Sequence, residues 1–225
     1  MAQRTEYDER QAAKRLYVPV ASFRWARHTK LIPAPDASGQ RWSRTAVEAM
    51  NAKAIRASLP APISGAAAAD RIAEALGTPH SRGDRRVVSS FVIRRLIDLK
   101  LLTELSANPD GSLVNPDQVD AVCARGDLAE LVENNQPLGP EQAAQRLSVR
   151  RADFDHMVRL GGSGRPTRSR SGSARPGAGA VDVALYRAGD IDALPAGHPE
   201  VDWGSLRAVG KGQRSPLALL SAVTA

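Results

Sequence analysis

Apolar positions in the first fifty residues fall at helical spacing in two short bursts, with a proline between them. Ala12, Ala13 and Leu16 share one face of a first helix that Asp8 is placed to cap. Val18-Pro19 ends it, because proline cannot continue a helix but can begin the next. A second helix is predicted over 20–30, burying Phe23 and Ala26 with Leu31. The prolines of IPAPD stop it, ASGQRW predicts a tight hairpin, and a third helix starts near Thr45.

The pattern returns twice. RQAAKRLYV (10–18) recurs as EQAAQRLSV (141–149), and each is followed five residues later by a phenylalanine, Phe23 or Phe154. AAADRIAEALG (67–77) is a degenerate copy. RWSRTAVEAM (41–50), LVNPDQVDAV (113–122) and LYRAGDIDAL (185–194) align without a gap. Each has a β-branched residue (Val47, Val119, Ile191), an acid (Glu48, Asp120, Asp192), alanine and an apolar residue, and successive acids are 72 residues apart. The expected fold class is therefore mainly α with small β wings, as three tandem winged helix-turn-helix units. They span 1–50, 64–125 (degenerate) and 138–197, joined by linkers 51–63 and 126–137, with a tail at 198–225.

Charge narrows the partner. Thirty-one Lys and Arg against 24 Asp and Glu, in 225 residues, leave a net charge of +7, which favours nucleic acid. The single cysteine, Cys123, excludes an internal disulfide framework and reads as a buried thiol in VDAVCA. Four histidines share no ligand spacing with it, so no metal or other cofactor is expected. GKGQRS (210–215) lacks phosphate-loop spacing, and neither Gly-x-Ser-x-Gly nor a magnesium-type acidic cluster occurs, so no enzyme is expected. The polar N-terminus and the lack of a long apolar run predict a cytoplasmic, nucleoid-associated protein with no membrane partner.

The series Ala12-Ala13-x-x-Leu16-x-Val18, Ser22-Phe23-Arg24-Trp25 and Leu31-Ile32-Pro33-x-Pro35 resembles the winged helix-turn-helix of MerR-type regulators. It is equally similar to the small excisionase domains of mobile elements. The likeness is good over 7–50 and looser in the other two units. It implies that the second helix enters the major groove while an Arg-aromatic pair and the wing contact backbone. Those roles fall on Arg24 and Trp25, with Arg41 and Trp42 on the wing. Lys30 stands where the family has glycine, and no long dimerisation helix follows the unit.

Ser22, Arg24, Trp25, Arg27 and His28 thus form the candidate reading face of the first unit, with Arg41, Trp42 and Arg44 on its wing. The plainer alternative makes Trp25 half-buried core and the arginines a solvated face. The second unit offers Arg94 and Arg95 at the matching places, plus Arg85 and Arg86 in a longer turn. The third has Asp155 and His156 there, after Asp153, although Arg150 and Arg151 remain. Carboxylates repel phosphate, so the expected order of contribution is first, second, third.

Residues 161–180, GGSGRPTRSRSGSARPGAGA, fall where the third wing belongs and read as a Gly/Ser/Arg-rich loop gripping the backbone. A second reading is a pair of compensating frame shifts: one base out of frame, the codons permit Trp-Ile-Arg-Pro, the counterpart of Leu31-Ile32-Pro33. Resequencing the gene tests it, and a clean in-frame read removes it. The expected function is sequence-specific binding of double-stranded DNA by a transcriptional regulator. The alternative is an excisionase-like or replication accessory factor of a mobile element, with a recombinase, replication protein or RNA polymerase as partner. From other classes stand an RNA-binding protein and a protein–protein adaptor, the latter suggested by the acidic second helix of the third unit.

Overall fold

The computed structural model describes residues 4–78, 88–108, 111–161, 167–171, 181–210 and 212–219. The chain is mainly helical with a few small antiparallel strand pairs, and it divides into two compact units, Met1–Leu128 and Ala129–Ala225.

One order of elements recurs three times, twice in the first unit and once in the second. The first repeat runs β1 (Glu6–Tyr7), α1 (Glu9–Arg15), α2 (Val20–His28), β2 (Trp42–Ser43), α3 (Arg44–Glu48) and α4 (Ala52–Ala57). The second runs β3 (Ile63–Ser64), α5 (Gly65–Ala75), α6 (Ser90–Asp98), β4 (Leu113–Val114) and α7 (Pro116–Cys123). Helix α8 (Leu128–Asn134) precedes the third, which runs β5 (Pro137–Leu138), α9 (Pro140–Arg146), α10 (Arg151–Arg159), β6 (Thr167–Ser171), β7 (Val181–Arg187) and α11 (Ala188–Gly197). Helix α12 (Trp203–Ala208) and a 3-10 turn (Pro216–Leu219) close the chain. In each repeat the strand before the first helix pairs with the strand before the third: Tyr7 with Trp42, Ile63 with Val114, Leu138 with Tyr186.

The sharp turns have a shared mechanism. After each first helix a residue in the left-handed region closes the last turn: Tyr17 (φ 54°), Gly77 (φ 66°) and Ser148 (φ 58°). Its N–H and the next bond back onto the helix, as when Tyr17 N–H donates to the Lys14 carbonyl (3.2 Å) and Val18 N–H to the Ala13 carbonyl (3.0 Å). After each second helix Lys30 (φ 59°), Lys100 (φ 62°) and Gly161 (φ 82°) stand in the same left-handed region. Lysine takes the left-handed position at two of these turns, at a steric cost of roughly 1 kcal/mol each.

The cores repeat too. Ala12 and Ala13, Ala68 and Ala69, and Ala143 and Ala144 are buried and let the helices approach closely. Phe23 meets Trp42 edge to face at 5.2 Å, and Phe154 meets Tyr186 likewise at 5.1 Å. In the second repeat the matching places hold Ile93 and Val114, both buried. Val47, Val119 and Ile191 are buried as the pattern required. The acid after each of them meets an arginine of its repeat's first helix: Arg15–Glu48 at 2.8 Å, Arg71–Asp120 at 3.1 Å and Arg146–Asp192 at 2.6 Å. The recurring acids thus join the first and third helices of each repeat.

Neither expected linker is a bare linker. Residues 51–63 contain α4, whose Ile55 sits in the first core, while Arg56 donates to the Tyr17 carbonyl at 2.7 Å. Residues 126–137 contain α8, with Val132 buried, and β5. The tail docks: Leu206 and Leu217 share a core with Phe154. Of the 161–180 stretch, the backbone of 167–171 pairs with β7, from Thr167 opposite Leu185 to Ser171 opposite Val181. A wing-like strand pair therefore stands where the sequence placed an arginine-rich loop; residues 162–166 and 172–180 lie outside the described residues.

Candidate nucleic-acid interface

Helix α2 separates the residues predicted for its reading face. Phe23 and Ala26 turn to the core and take Ser22 with them, which is only 6% exposed, so Ser22 is no surface contact. Arg24 and Trp25 are half-buried; Arg27 and His28 are exposed. Trp25 stacks on His28, ring centroids 5.3 Å apart at 30°. The indole is thus neither core nor free, and it braces an exposed imidazole on the outer face.

Both α2 arginines already have an anion. Arg24 Nε donates to Glu9 Oε2 at 2.6 Å, and Arg27 Nη1 lies 3.4 Å from Glu9 Oε1. Glu9 occupies the first turn of α1, where the helix dipole favours a carboxylate. Beside them a cleft of about 270 Å³ is lined by Glu9, Arg24, Arg27, His28, Thr103 and Glu104. The last two come from the second repeat, and His28 Nε2 lies 3.3 Å from Thr103 Oγ1. Arg10 of α1 also donates to the Ala107 carbonyl, so the first two repeats meet along this edge.

The wing loop of the first repeat is a tight turn, with Gly39 (φ 65°) and Gln40 (φ 58°) between bridged Ala37 and Arg41. Asp36 accepts from the backbone N–H and hydroxyl of Ser43 at 2.7 and 2.6 Å, which hold its carboxyl below the usual range. Arg41 is exposed, 3.8 Å from Glu6, and Arg44 bonds Glu48 at 2.8 Å. Trp42 is the clear correction. It is completely buried against Phe23, and its indole N–H donates to the Pro33 carbonyl at 2.9 Å, so it is a core residue.

In the second repeat Arg94 is exposed and has no ion pair among the described residues. Arg95 pairs with Asp98 at 2.8 Å, while its Nε is buried without an acceptor. Arg85 and Arg86 lie outside the described residues.

The third repeat corrects one more expectation, that of Arg150. Arg150 precedes α10 and holds the fully buried Asp153 with two bonds of 2.7 and 3.0 Å. Its Nη1 donates to the Gly210 and Gln213 carbonyls, both at 2.8 Å, so Arg150 ties the tail down instead of facing solvent. Burial opposes the charge of Asp153, but hydrogen bonds from Arg150 and Ser215 outweigh it and hold the carboxyl below its usual range. Arg151 is exposed and pairs with Asp155 at 2.9 Å.

Sequence reasoning missed Glu9, Thr103 and Glu104. A first-turn acid beside the Asp8 cap was visible, but its partner fifteen residues away was not. Cys123, expected in the core, is half-buried, and burial followed by the nearby Asp120 carboxylate pushes its thiol up. Among the described residues no group of His, Cys, Asp and Glu could hold a metal, and no helix is long and apolar enough to cross a membrane. No protein-family model, curated protein or solved structure matches this chain.

Proposed function

We propose that this protein binds double-stranded DNA, without catalysis, through winged helix-turn-helix repeats, and acts as a transcriptional regulator. One observation carries the reading. A unit with three helices recurs with the same left-handed turns, and the second helix of the first two copies presents cationic or aromatic side chains on its outer face. Arg24, Trp25, Arg27 and His28 form that face in α2, and Arg94 stands at the matching place in α6. Arginine can grip phosphate or donate to guanine, and the wing arginine Arg41 adds a second cationic element beside α2.

A second reading applies to the unit Ala129–Ala225. There Arg150 serves the tail and Arg151 is paired with Asp155, so α10 suits docking to a protein better than to phosphate. Binding of the whole chain to duplex DNA from its own locus, against random duplex over a salt series, tests both. Specific binding that survives competitor and weakens on Arg94→Ala or Arg24→Ala supports a sequence reader. Equal, steeply salt-dependent binding to every duplex replaces it with an architectural role. No binding leaves the adaptor reading.

A further inference from the structure

In the cleft beside α2 two arginines face one carboxylate of the chain itself, Glu9. Arg24 reaches Glu9 through Nε, which leaves its two Nη groups for another acceptor. Arg27 sits at 3.4 Å, beyond a good charged hydrogen bond, and Glu9 Oε1 is buried with no hydrogen-bond partner. The free protein therefore holds these groups together incompletely. Thr103 and His28 add two more polar groups on the cleft wall, from two repeats. The other acid there, Glu104, is turned toward its own backbone, with Oε1 accepting from Ser106 N–H at 2.7 Å and Leu113 N–H at 3.1 Å.

From this geometry we infer that Glu9 is a built-in competitor for phosphate, holding Arg24 and Arg27 until a backbone phosphate of the duplex enters the cleft and takes them over. A backbone phosphodiester presents two non-bridging oxygens, each able to accept more than one hydrogen bond, and unlike Glu9 it is not tethered to α1, so it can engage Arg24, Arg27 and Thr103 together. The inference rests on the DNA-binding reading of α2. It sets the affinity of the first repeat below what its arginines would give, and it makes part of the site depend on the second repeat.

The test is Glu9→Gln in the full chain, which keeps the side-chain size and the first-turn hydrogen-bonding capacity. Removing a partly screened carboxylate should tighten duplex binding on the order of fivefold and steepen its salt dependence. Thr103→Ser, which keeps the hydroxyl that accepts from Gln118 Nε2 at 3.1 Å, should bind like the natural chain, whereas Thr103→Val should bind more weakly. Weaker or unchanged binding by Glu9→Gln overturns the inference, since Glu9 would then be a brace for Arg24 or a bystander. A second arm uses inorganic pyrophosphate, following the backbone amide resonances of 24–28 and 103. Larger shifts in Glu9→Gln than in the natural chain support the competitor role, and equal shifts overturn it. If neither protein binds duplex, the DNA reading fails, and the pyrophosphate arm alone decides the role of Glu9.

Discussion

In the first repeat α2 turns Arg24, Trp25, Arg27 and His28 away from its core; the matching positions of α10 hold Asp155, His156, Val158 and Arg159. The supports beneath the two helices are nearly identical. Each rests on a paired alanine helix, an edge-to-face aromatic pair and an Arg-acid bridge to the third helix. What differs is the use made of the arginine beside the helix. In the third repeat Arg150 holds a buried aspartate and two tail carbonyls, whereas the first keeps its arginines at the surface under the hold of Glu9. One scaffold can therefore carry outward arginines held by a surface acid or an arginine spent on its own tail, because the outward positions do not enter the core.

The largest effect that would break this comparison is in the core. Trp42→Ala should cost about 3–4 kcal/mol of stability, read by chemical denaturation of the first unit. An unchanged midpoint with lost DNA binding would return Trp42 to the interface. Next comes the Arg150–Asp153 pair. Asp153→Ala leaves a partly buried guanidinium without its partner and should cost about 2–3 kcal/mol, loosening the tail. The pH dependence has a definite sign. The folded Asp153 carboxyl lies below its unfolded value of about 3.9, so its stabilisation is present above that pH and is lost as pH falls through the folded value. Thermal melts below about pH 4 should therefore fall less steeply for Asp153→Asn than for the natural chain.

Smaller effects sharpen the contrast. Arg94→Ala should weaken duplex binding about tenfold without changing stability, because Arg94 has no partner to lose among the described residues. Arg151→Ala should change binding less than about twofold, and a larger loss would place α10 on the DNA. One change is expected to be a gain. Lys30→Gly relieves a left-handed lysine and should raise stability by up to about 1 kcal/mol, partly offset by the greater freedom of glycine in the unfolded chain.

Much of the fold was legible because it depends on neighbours in sequence. Proline after Val18, the alanine pairs, the phenylalanines and the β-branched residue before each acid mark the helix boundaries and the buried face. Two readings went astray for identifiable reasons. Trp42 lies between two arginines in a loop-like stretch, a setting that suggests an exposed wing. Pairing Tyr7 with Trp42 in the β1–β2 ladder instead brings it onto Phe23. Residues 51–63 are short and carry two prolines near their end, Pro60 and Pro62, like a linker, yet Ile55 has a core to enter.

The sequence by itself determined the three-fold recurrence, the helix breaks and the apolar faces, since helical and strand periodicities act over a few residues. Only the tertiary structure decided which arginines stay available. An ion pair depends on where two distant segments meet in space, so Glu9 with Arg24 and Arg150 with the tail left no local mark in the chain.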